Sequence, residues 1–156
     1  MARMRAEPSL IADFIEETLR YDPPIQCSYR CATADTALQG VQVSRGAMVV
    51  PLWAAAGWDP AVFEQPSLFD PARANVRQHM GFGYGQHFCA GAALAGLEAR
   101  IAFETLLSRF SHIELGARGR RPRTHLGAWA MRRCRGLILR VRLSELVTET
   151  NCWEVG

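Results

Sequence analysis

The chain has 156 residues, of which 49% are hydrophobic and 21% charged, which fits one globular domain and excludes disordered and collagen-like classes. The net charge of +3 is modest. The longest apolar stretch, residues 47–57, contains Pro51 and is shorter than the roughly 20 residues that cross a bilayer. Acidic residues follow closely on Arg3 and Arg5, so no export signal is expected either.

Cysteines and arginines are the informative residue types. The five cysteines are an odd number, and no two have the C-x-x-C spacing of zinc or redox sites. This usage favours a reducing cytoplasm. All 18 basic residues are arginines, and nine of them fall within residues 118–142. That segment either attracts an acidic protein partner or nucleic acid, or it is a solvated loop beside a strand, and the sequence leaves these interpretations open.

The first half of the chain predicts one short helix followed by small strands. Ser9 offers an N-cap, and apolar residues recur at helical spacing from Leu10 to Leu19, until Asp22-Pro23-Pro24 ends the helix. Residues 28–52 contain short β-like runs between turn residues, which predict two or three strands in hairpins. One helical turn is expected within residues 58–66, and an ordered but irregular meander over residues 66–78.

The second half predicts a long helix and a pair of strands. After Cys89, apolar residues return at spacings of three and four as far as Phe110, as in an amphipathic helix. Residues 112–116 and 136–143 alternate like two strands on either side of the arginine-rich segment. The expected fold class is mainly α with small β-hairpins (α+β), in one domain over residues 1–146 with a loosely attached tail over residues 147–156.

Residues 81–91 place a cysteine at the end of a glycine-rich bend. Glycines at 81, 83 and 85 allow positive φ and a close approach of the backbone to something flat and bulky. Cys89 is expected at the N-terminal end of the long helix, where unpaired N–H groups and the helix dipole favour a thiolate. The alternative is a buried free cysteine, which is common in protein cores.

Two other kinds of site share some of these residues. Residues 81–86 resemble a dinucleotide fingerprint, but Gln86 stands at the third glycine position and no convincing strand precedes it. A nucleotide site is therefore not expected. A cysteine-dependent enzyme needs a base, and His87 lies two residues from Cys89, so the residue types alone leave this alternative open.

Four motifs, taken together, resemble the cytochrome P450 family, especially its soluble bacterial members. FGYGQHFCAG fits the pattern FxxGxxxCxG of the family's haem-binding loop through Phe82, Gly85, Cys89 and Gly91. EETLRYDPP resembles the ExxR helix, FDPARAN the meander, and LAGLEAR the start of the helix after the haem cysteine. The resemblance covers residues 9–143 and implies the C-terminal, proximal part of the P450 fold.

The resemblance also implies a cofactor and the residues that bind it. Cys89 would be the axial thiolate ligand of haem b. Arg30 and His87 fall where the family pairs the haem propionates, and His79 is a weaker candidate for the same role. Phe82 is expected to shield the sulfur, which helps to set the potential of a thiolate-bound iron. The implied cofactor-binding residues are Arg30, His79, Phe82, Gly83, Gly85, His87, Cys89 and Gly91.

A charge cluster of Glu17, Arg20 and Arg73 is implied by the same resemblance. Taken alone, Glu17 and Arg20 are an i, i+3 pair away from the apolar stripe of their helix, so an exposed pair contributing about 0.2–0.5 kcal/mol is the first interpretation. The family instead buries all three side chains in one network. In that case the cluster holds the meander and the cysteine loop in place and does no chemistry.

The chain departs from the family pattern in several places. Gly57-Trp58 stands where Asn-Arg is frequent, and Gly96 replaces a common arginine. Both changes are expected to weaken local ion pairing without excluding haem. Nothing in the sequence resembles the family's oxygen-handling helix or most of its substrate pocket, so no catalytic residue is assigned.

The function implied by the resemblance is that of a haem-thiolate monooxygenase. Such a protein oxidises an organic small molecule with O2, using electrons from a ferredoxin or flavoprotein that would dock on the basic proximal face. This portion alone is not expected to turn over. The alternatives are completion by a separate N-terminal polypeptide, a haem-binding or interaction module without catalysis, and an inactive truncated product. A cytoplasmic location is expected, with neither membrane nor nucleic acid as a partner.

Overall fold

The computed structural model describes residues 2–115 and the strand segments 122–123, 133–134 and 139–143. The helices described are α1 (Ala2–Ala6), α2 (Leu10–Tyr21), α3 (Trp53–Ala56) and α4 (Ala92–Arg109). The strands are β1 (Arg30–Cys31), β2 (Thr36–Leu38), β3 (Val41–Val43), β4 (Met48–Val49), β5 (Phe110–Leu115), β6 (Pro122–Arg123), β7 (Arg133–Cys134) and β8 (Leu139–Leu143). None of these helices is long and apolar enough to cross a membrane.

Helix α2 lies at the centre of the apolar core. Its Ile11 and Ile15 pack with Met4 of α1 and Leu107 of α4 into one buried cluster. Burial of each such side chain contributes about 1.5–3 kcal/mol. This cluster therefore joins the three helices to one another.

The bounds of α2 agree with the prediction, but α2 is not the first element. It begins directly after Ser9 and ends at Tyr21. Ser9 makes no capping bond, and its hydroxyl donates instead to Glu7 at 3.3 Å. The expectation of a single first helix is wrong because α1 precedes α2. A five-residue helix is too short for periodicity to reveal, and it depends on packing for its stability.

Residues 28–52 form four short strands where two or three were predicted. Strands β2 and β3 make a hairpin whose loop residues, Gln39 and Gly40, have φ of 47° and 84°. Positive φ at both central positions is typical of the type I′ turn, which matches the twist of paired strands. Strand β1 pairs with β4 outside this hairpin, with Arg30 opposite Val49. Arg30 is therefore held on a paired strand.

The meander predicted over residues 66–78 is irregular, as expected, and it lies in a longer segment, residues 57–91, that contains no α-helix or strand. Two 3-10 turns interrupt it, Val76–Gln78 and Gly85–His87. The turn predicted within residues 58–66 occurs as one helical hydrogen bond, in which the N–H of Phe63 donates to the carbonyl of Asp59 at 2.9 Å. The side chain of Phe63 is 1% exposed and anchors this turn.

The strands after α4 pair as predicted. Strand β5 follows α4 directly and runs antiparallel to β8, with Ile113 opposite Val141. Strand β6 pairs with β7. Most of the arginine-rich segment, and the whole tail over residues 147–156, lie outside the described residues.

Helix α4 confirms the predicted long helix, but several of the apolar residues that recur along it are exposed. Leu107 is buried, whereas Leu94, Leu97 and Ile101 are 59%, 46% and 51% exposed. Phe103 and Leu107 contact the core from another side of the helix. One side of α4 therefore carries a single row of exposed apolar side chains, here called the α4 stripe, which consists of Leu94, Leu97 and Ile101.

Candidate functional site

The bend before α4 is a closed loop built on two left-handed glycines. Gly83 and Gly85 have φ of 79° and 70°, a region that residues with a Cβ rarely occupy. The N–H of Cys89 donates to the carbonyl of Phe82 at 2.9 Å, and the turn Gly85–His87 lies between those two residues. The motif therefore corresponds to one hydrogen-bonded loop that ends at the cysteine.

Cys89 is exposed, so the alternative of a buried structural cysteine is wrong. Helix α4 begins three residues later, and the carbonyl of Cys89 accepts a hydrogen bond from the N–H of Ala92 at 3.2 Å. The thiol therefore lies just ahead of the helix. A Cβ at Gly91 would lie 3.9 Å from the sulfur, an ordinary contact, so contact with the sulfur does not by itself require glycine there.

Aromatic rings flank the cysteine in the loop. Phe82 is half-buried and meets Phe88 edge-on, with ring centroids 6.3 Å apart. Phe88 and Tyr84 are 54% and 73% exposed. An exposed thiol among exposed rings is a surface that a flat apolar group would cover.

These residues fit a cofactor that brings most of its own metal ligands. Across the part of the chain that the structure describes, no three His, Cys, Asp or Glu side chains are grouped so as to hold a metal ion. A single thiol does not complete the coordination of a metal. A haem brings its porphyrin nitrogens, is flat and apolar, and accepts one protein thiolate. The donor set and the exposed rings of the loop both suit it.

Arg30 and His87, the two main candidates for the propionates, are both exposed. Arg30 lies on β1, where its Nη1 donates to the carbonyl of Tyr29 at 2.9 Å and to the hydroxyl of Ser28 at 3.3 Å. His87 ends the 3-10 turn two residues before Cys89. Their role with a cofactor stays a prediction.

His79 has a different environment from Arg30 and His87. Its side chain is 4% exposed. The Nε2 atom lies 2.9 Å from Oε2 of Glu16, and Nδ1 accepts a hydrogen bond from the N–H of Gly81 at 3.0 Å. Because both ring nitrogens have protein partners, neither is left for a propionate, and His79 is not retained as a cofactor-binding residue.

Arg20 is the centre of the charge cluster and uses all of its nitrogen donors. Nε and Nη2 donate to the two carboxylate oxygens of Glu17 at 2.7 and 2.8 Å. Nη1 donates to the carbonyls of Gly57 and Pro66, and Nη2 donates also to that of Leu68. Arg20 and Glu17 are 1% and 0% exposed. The interpretation as an exposed pair is wrong, because the meander covers a second face of α2.

Glu17 connects this arginine to the meander. Its Oε1 also accepts the N–H of Asp70 at 2.8 Å, and its Oε2 lies 3.7 Å from Nε of Arg73. Nη1 of Arg73 donates to the carbonyl of Glu64 at 2.5 Å, whereas its buried Nε has no hydrogen-bond partner among the described residues. The structure thus brings Glu17, Arg20 and Arg73 together, with Arg73 joined to the carboxylate by charge.

Gly57 and Trp58, which replace the Asn-Arg of the family pattern, close the end of α2. The carbonyl of Gly57 accepts a hydrogen bond from Nη1 of Arg20 at 2.6 Å. The indole N–H of Trp58 donates to the carbonyl of Tyr21 at 2.8 Å, and the two rings lie 4.8 Å apart. Carbonyls in the last turn of a helix have no partner within it, so Trp58 supplies one.

We expect Trp58→Phe to lower the free energy of unfolding by about 1 kcal/mol. Phenylalanine keeps a ring beside Tyr21 but removes the donor to its carbonyl. Urea unfolding followed by circular dichroism would measure the loss. Trp53→Phe is the matched control, since the Trp53 indole makes no hydrogen bond to any described residue. Equal losses in the two variants would contradict the capping role of Trp58.

Glu16 is a residue that the sequence reasoning missed. It adjoins Glu17 on α2, yet its carboxylate contacts His79 and lies 3.3 Å from Nη1 of Arg77. The signal available was a pair of adjacent glutamates beside a motif. That signal could not tell which distant residue each carboxylate would meet.

Comparison with known proteins agrees with this geometry. The family model described as Cytochrome P450 matches residues 2–135. The chain is 49% identical over 112 residues to Cytochrome P450 144 of Mycobacterium tuberculosis, a match that covers 72% of this chain and 26% of that protein. It is 41% identical over 115 residues to the Biotin biosynthesis cytochrome P450 of Bacillus subtilis, covering 74% of this chain and 29% of that protein.

Solved structures give the same result. P450BioI in complex with hexadec-9Z-enoic acid ligated acyl carrier protein matches with a TM-score of 0.83 and 37% identity, over 90% of this chain and 36% of that one. The substrate-free cytochrome P450 CYP150A6 of Mycobacterium marinum matches with a TM-score of 0.86 and 34% identity, over 92% of this chain and 36% of that one.

The arrangement of the helices and the cysteine loop is therefore that of one part of the cytochrome P450 fold. The chain belongs to the cytochrome P450 family, whose proteins bind haem b. It spans 26% of the length of Cytochrome P450 144 and 30% of that of Putative cytochrome P450 140 of Mycobacterium bovis.

Proposed function

We propose that the chain binds haem b through Cys89 and forms part of a haem-thiolate monooxygenase that oxidises an organic small molecule with O2. The observation that carries the proposal is the closed loop that presents an exposed cysteine after glycines at positive φ. When bound, the haem would supply the redox and oxygen chemistry. Membership of the family supports this assignment.

The residues of the loop bind and orient the cofactor in this proposal. Cys89 provides the thiolate, and Phe82 limits the access of water to the sulfur. Arg30 and His87 offer positive charge and N–H donors to the cofactor carboxylates. The charge cluster fixes the meander and does no chemistry.

Catalysis in this proposal needs more polypeptide than these residues supply. The exposed α4 stripe supports this step, because apolar faces of that kind mark interaction surfaces. The matched structures also contain a larger share of the fold than this chain. With haem open to water on one side, oxygen activation would be poorly controlled, and we expect no turnover by residues 1–146 alone.

The proposed partners follow from the same function. A ferredoxin or flavoprotein would deliver electrons on the proximal side, and a complementary N-terminal polypeptide would complete the pocket. A cytoplasmic location accords with this function and with the cysteine usage. The proposed substrate class is an organic small molecule.

We expect Cys89→Ala to abolish the red-shifted Soret band that thiolate ligation produces in the reduced carbon monoxide complex of the haem-reconstituted chain. Spectra are recorded for the chain alone and with a separately expressed polypeptide that covers the rest of a P450 domain. Cys31→Ala is the matched control, since Cys31 is also exposed, and it should retain the band. Failure of both samples to take up haem, or an unchanged spectrum in Cys89→Ala, would show that the ligand assignment is wrong.

A further inference from the structure

The buried imidazole of His79 lies between α2 and the start of the cysteine loop. Its Nε2 faces the carboxylate of Glu16 on α2 at 2.9 Å, and its Nδ1 accepts the N–H of Gly81 at 3.0 Å. The side chain is 4% exposed. A buried ring bonded on both sides holds its two partners at a set separation, because breaking either bond leaves a polar group unsatisfied.

The two contacts determine the tautomer of the ring. An N–H that points at Nδ1 needs a lone pair there, so the ring proton lies on Nε2 and is donated to Glu16. A ring protonated on both nitrogens has no acceptor for Gly81. His79 is therefore a donor towards α2 and an acceptor from the loop.

Gly81 is closely packed between α2 and the ring of His79, with no space for a side chain. A Cβ on Gly81 would lie 3.0 Å from the carbonyl oxygen of Leu19 and 3.1 Å from Nδ1 of His79. The start of the loop is thus enclosed by the backbone of α2 on one side and the imidazole on the other. Movement of the imidazole would therefore release Gly81.

A short series of contacts leads from Gly81 to Cys89. Phe82 follows Gly81 directly, and its carbonyl accepts the N–H of Cys89 at 2.9 Å. The Phe82 ring also contacts the rings of His79 and Phe88, with centroid separations of 6.1 and 6.3 Å. A displacement of Gly81 would therefore reach the backbone of Cys89 through one residue.

We propose that His79 is a positioning residue that bridges Glu16 and Gly81, holds the cysteine loop against α2, and thereby sets the orientation and exposure of the Cys89 thiol. The importance of that orientation for a ligand rests on the proposed function. The bridge itself does not depend on haem.

Single substitutions separate the two halves of the bridge. His79→Asn keeps an acceptor near the position of Nδ1 and removes the donor to Glu16. His79→Gln places an amide donor near the position of Nε2 and removes the acceptor for Gly81. His79→Phe keeps a ring and removes both bonds, and Glu16→Gln is the matched control because its amide oxygen still accepts from Nε2.

The first measurement is the rate at which iodoacetamide alkylates Cys89 in the haem-free full chain, resolved by mass spectrometry of individual cysteine peptides. His79→Phe is expected to raise this rate about tenfold, because the buried N–H of Gly81 on the loop side loses its acceptor. His79→Gln loses the same acceptor and should have a similar effect. His79→Asn and Glu16→Gln keep the acceptor for Gly81 and should have smaller effects. Cys31, exposed on β1, is the internal reference and should not change. A wild-type Cys89 rate in folded His79→Phe would overturn the proposal.

A second measurement needs no substitution. Long-range proton–nitrogen correlation spectra of the wild-type chain report the tautomer of each histidine, and His79 is expected to carry its proton on Nε2. A proton on Nδ1 would contradict the bond from Gly81 and overturn the bridge.

The haem-loaded chain separates this proposal from the proposed function. His79→Phe is expected to decrease the thiolate band of the carbon monoxide complex and increase the band of the complex without thiolate. A wild-type chain that never binds haem would refute the proposed function, whereas the alkylation and tautomer results would still decide the role of His79. An unchanged band ratio in His79→Phe would overturn the positioning role.

Discussion

Glu17→Ala is expected to lower the free energy of unfolding by about 3–5 kcal/mol, because it leaves Arg20 buried without a counter-charge. Arg20 is 1% exposed and donates to both carboxylate oxygens of Glu17. The N–H of Asp70 would lose its acceptor as well. A whole domain is typically stable by only about 5–15 kcal/mol, so urea unfolding followed by circular dichroism should show a large shift of the midpoint.

Glu104→Ala is the matched control for this prediction. Glu104 also pairs with an arginine, Arg100, at 3.8 Å, but the two side chains are 49% and 54% exposed. We expect its loss to change stability by less than about 0.5 kcal/mol. Glu17→Gln keeps the size of the side chain but not its charge, and it should remain strongly destabilising. Equal effects of Glu17→Ala and Glu104→Ala would refute a stabilising role for the buried network.

Gly57→Ala is expected to destabilise the chain by about 3 kcal/mol, although its φ of −68° and ψ of −13° would suit alanine. The reason is steric, since a Cβ there would lie 2.1 Å from the carbonyl oxygen of Arg20. That oxygen belongs to the backbone of α2 and cannot move by a change of rotamer. Separating the two segments would also break the bond from Nη1 of Arg20 to the carbonyl of Gly57.

Gly96→Ala adds the same methyl group at a place with open space. Apart from the adjacent residues and the local backbone of α4, no atom of the described residues lies within 4 Å of a Cβ at Gly96. Alanine is the better helix former, so this variant is expected to stabilise the chain by up to about 1 kcal/mol. The two glycine variants should therefore shift the unfolding midpoint in opposite directions. A stabilising effect of Gly57→Ala would disprove the close contact with α2.

Several elements could be predicted because their signals are local in the sequence. Helix α2 follows from apolar spacing that ends at Asp22-Pro23, and α4 follows from the same periodicity after Cys89. The cysteine loop follows from glycines whose positions correspond to positive φ at Gly83 and Gly85. Periodicity and turn chemistry act over a few residues, so a single sequence is sufficient to recognise them.

The partners of the charged and polar residues could not be predicted in the same way. The spacing of Glu17 and Arg20 alone indicates an exposed pair on α2. Nothing nearby in the sequence shows that residues 57–70 cover the face of α2 on which the two side chains lie. In the sequence, His79 is a weaker candidate for binding a haem propionate, because the residue type alone does not show which groups its ring nitrogens contact. Its partner Glu16 is 63 positions away, and only packing decides that they meet.

The identity of the loop and the order of the main elements thus depend on short-range chemistry: glycine conformations, helix periodicity and a cysteine at a set spacing. The burial of each polar group depends on long-range packing. Arg20 can donate hydrogen bonds to the carbonyls of Gly57, Pro66 and Leu68 only when residues 57–70 pack against α2. The free energy of a charge depends on the atoms around it, and the tertiary structure supplies those atoms.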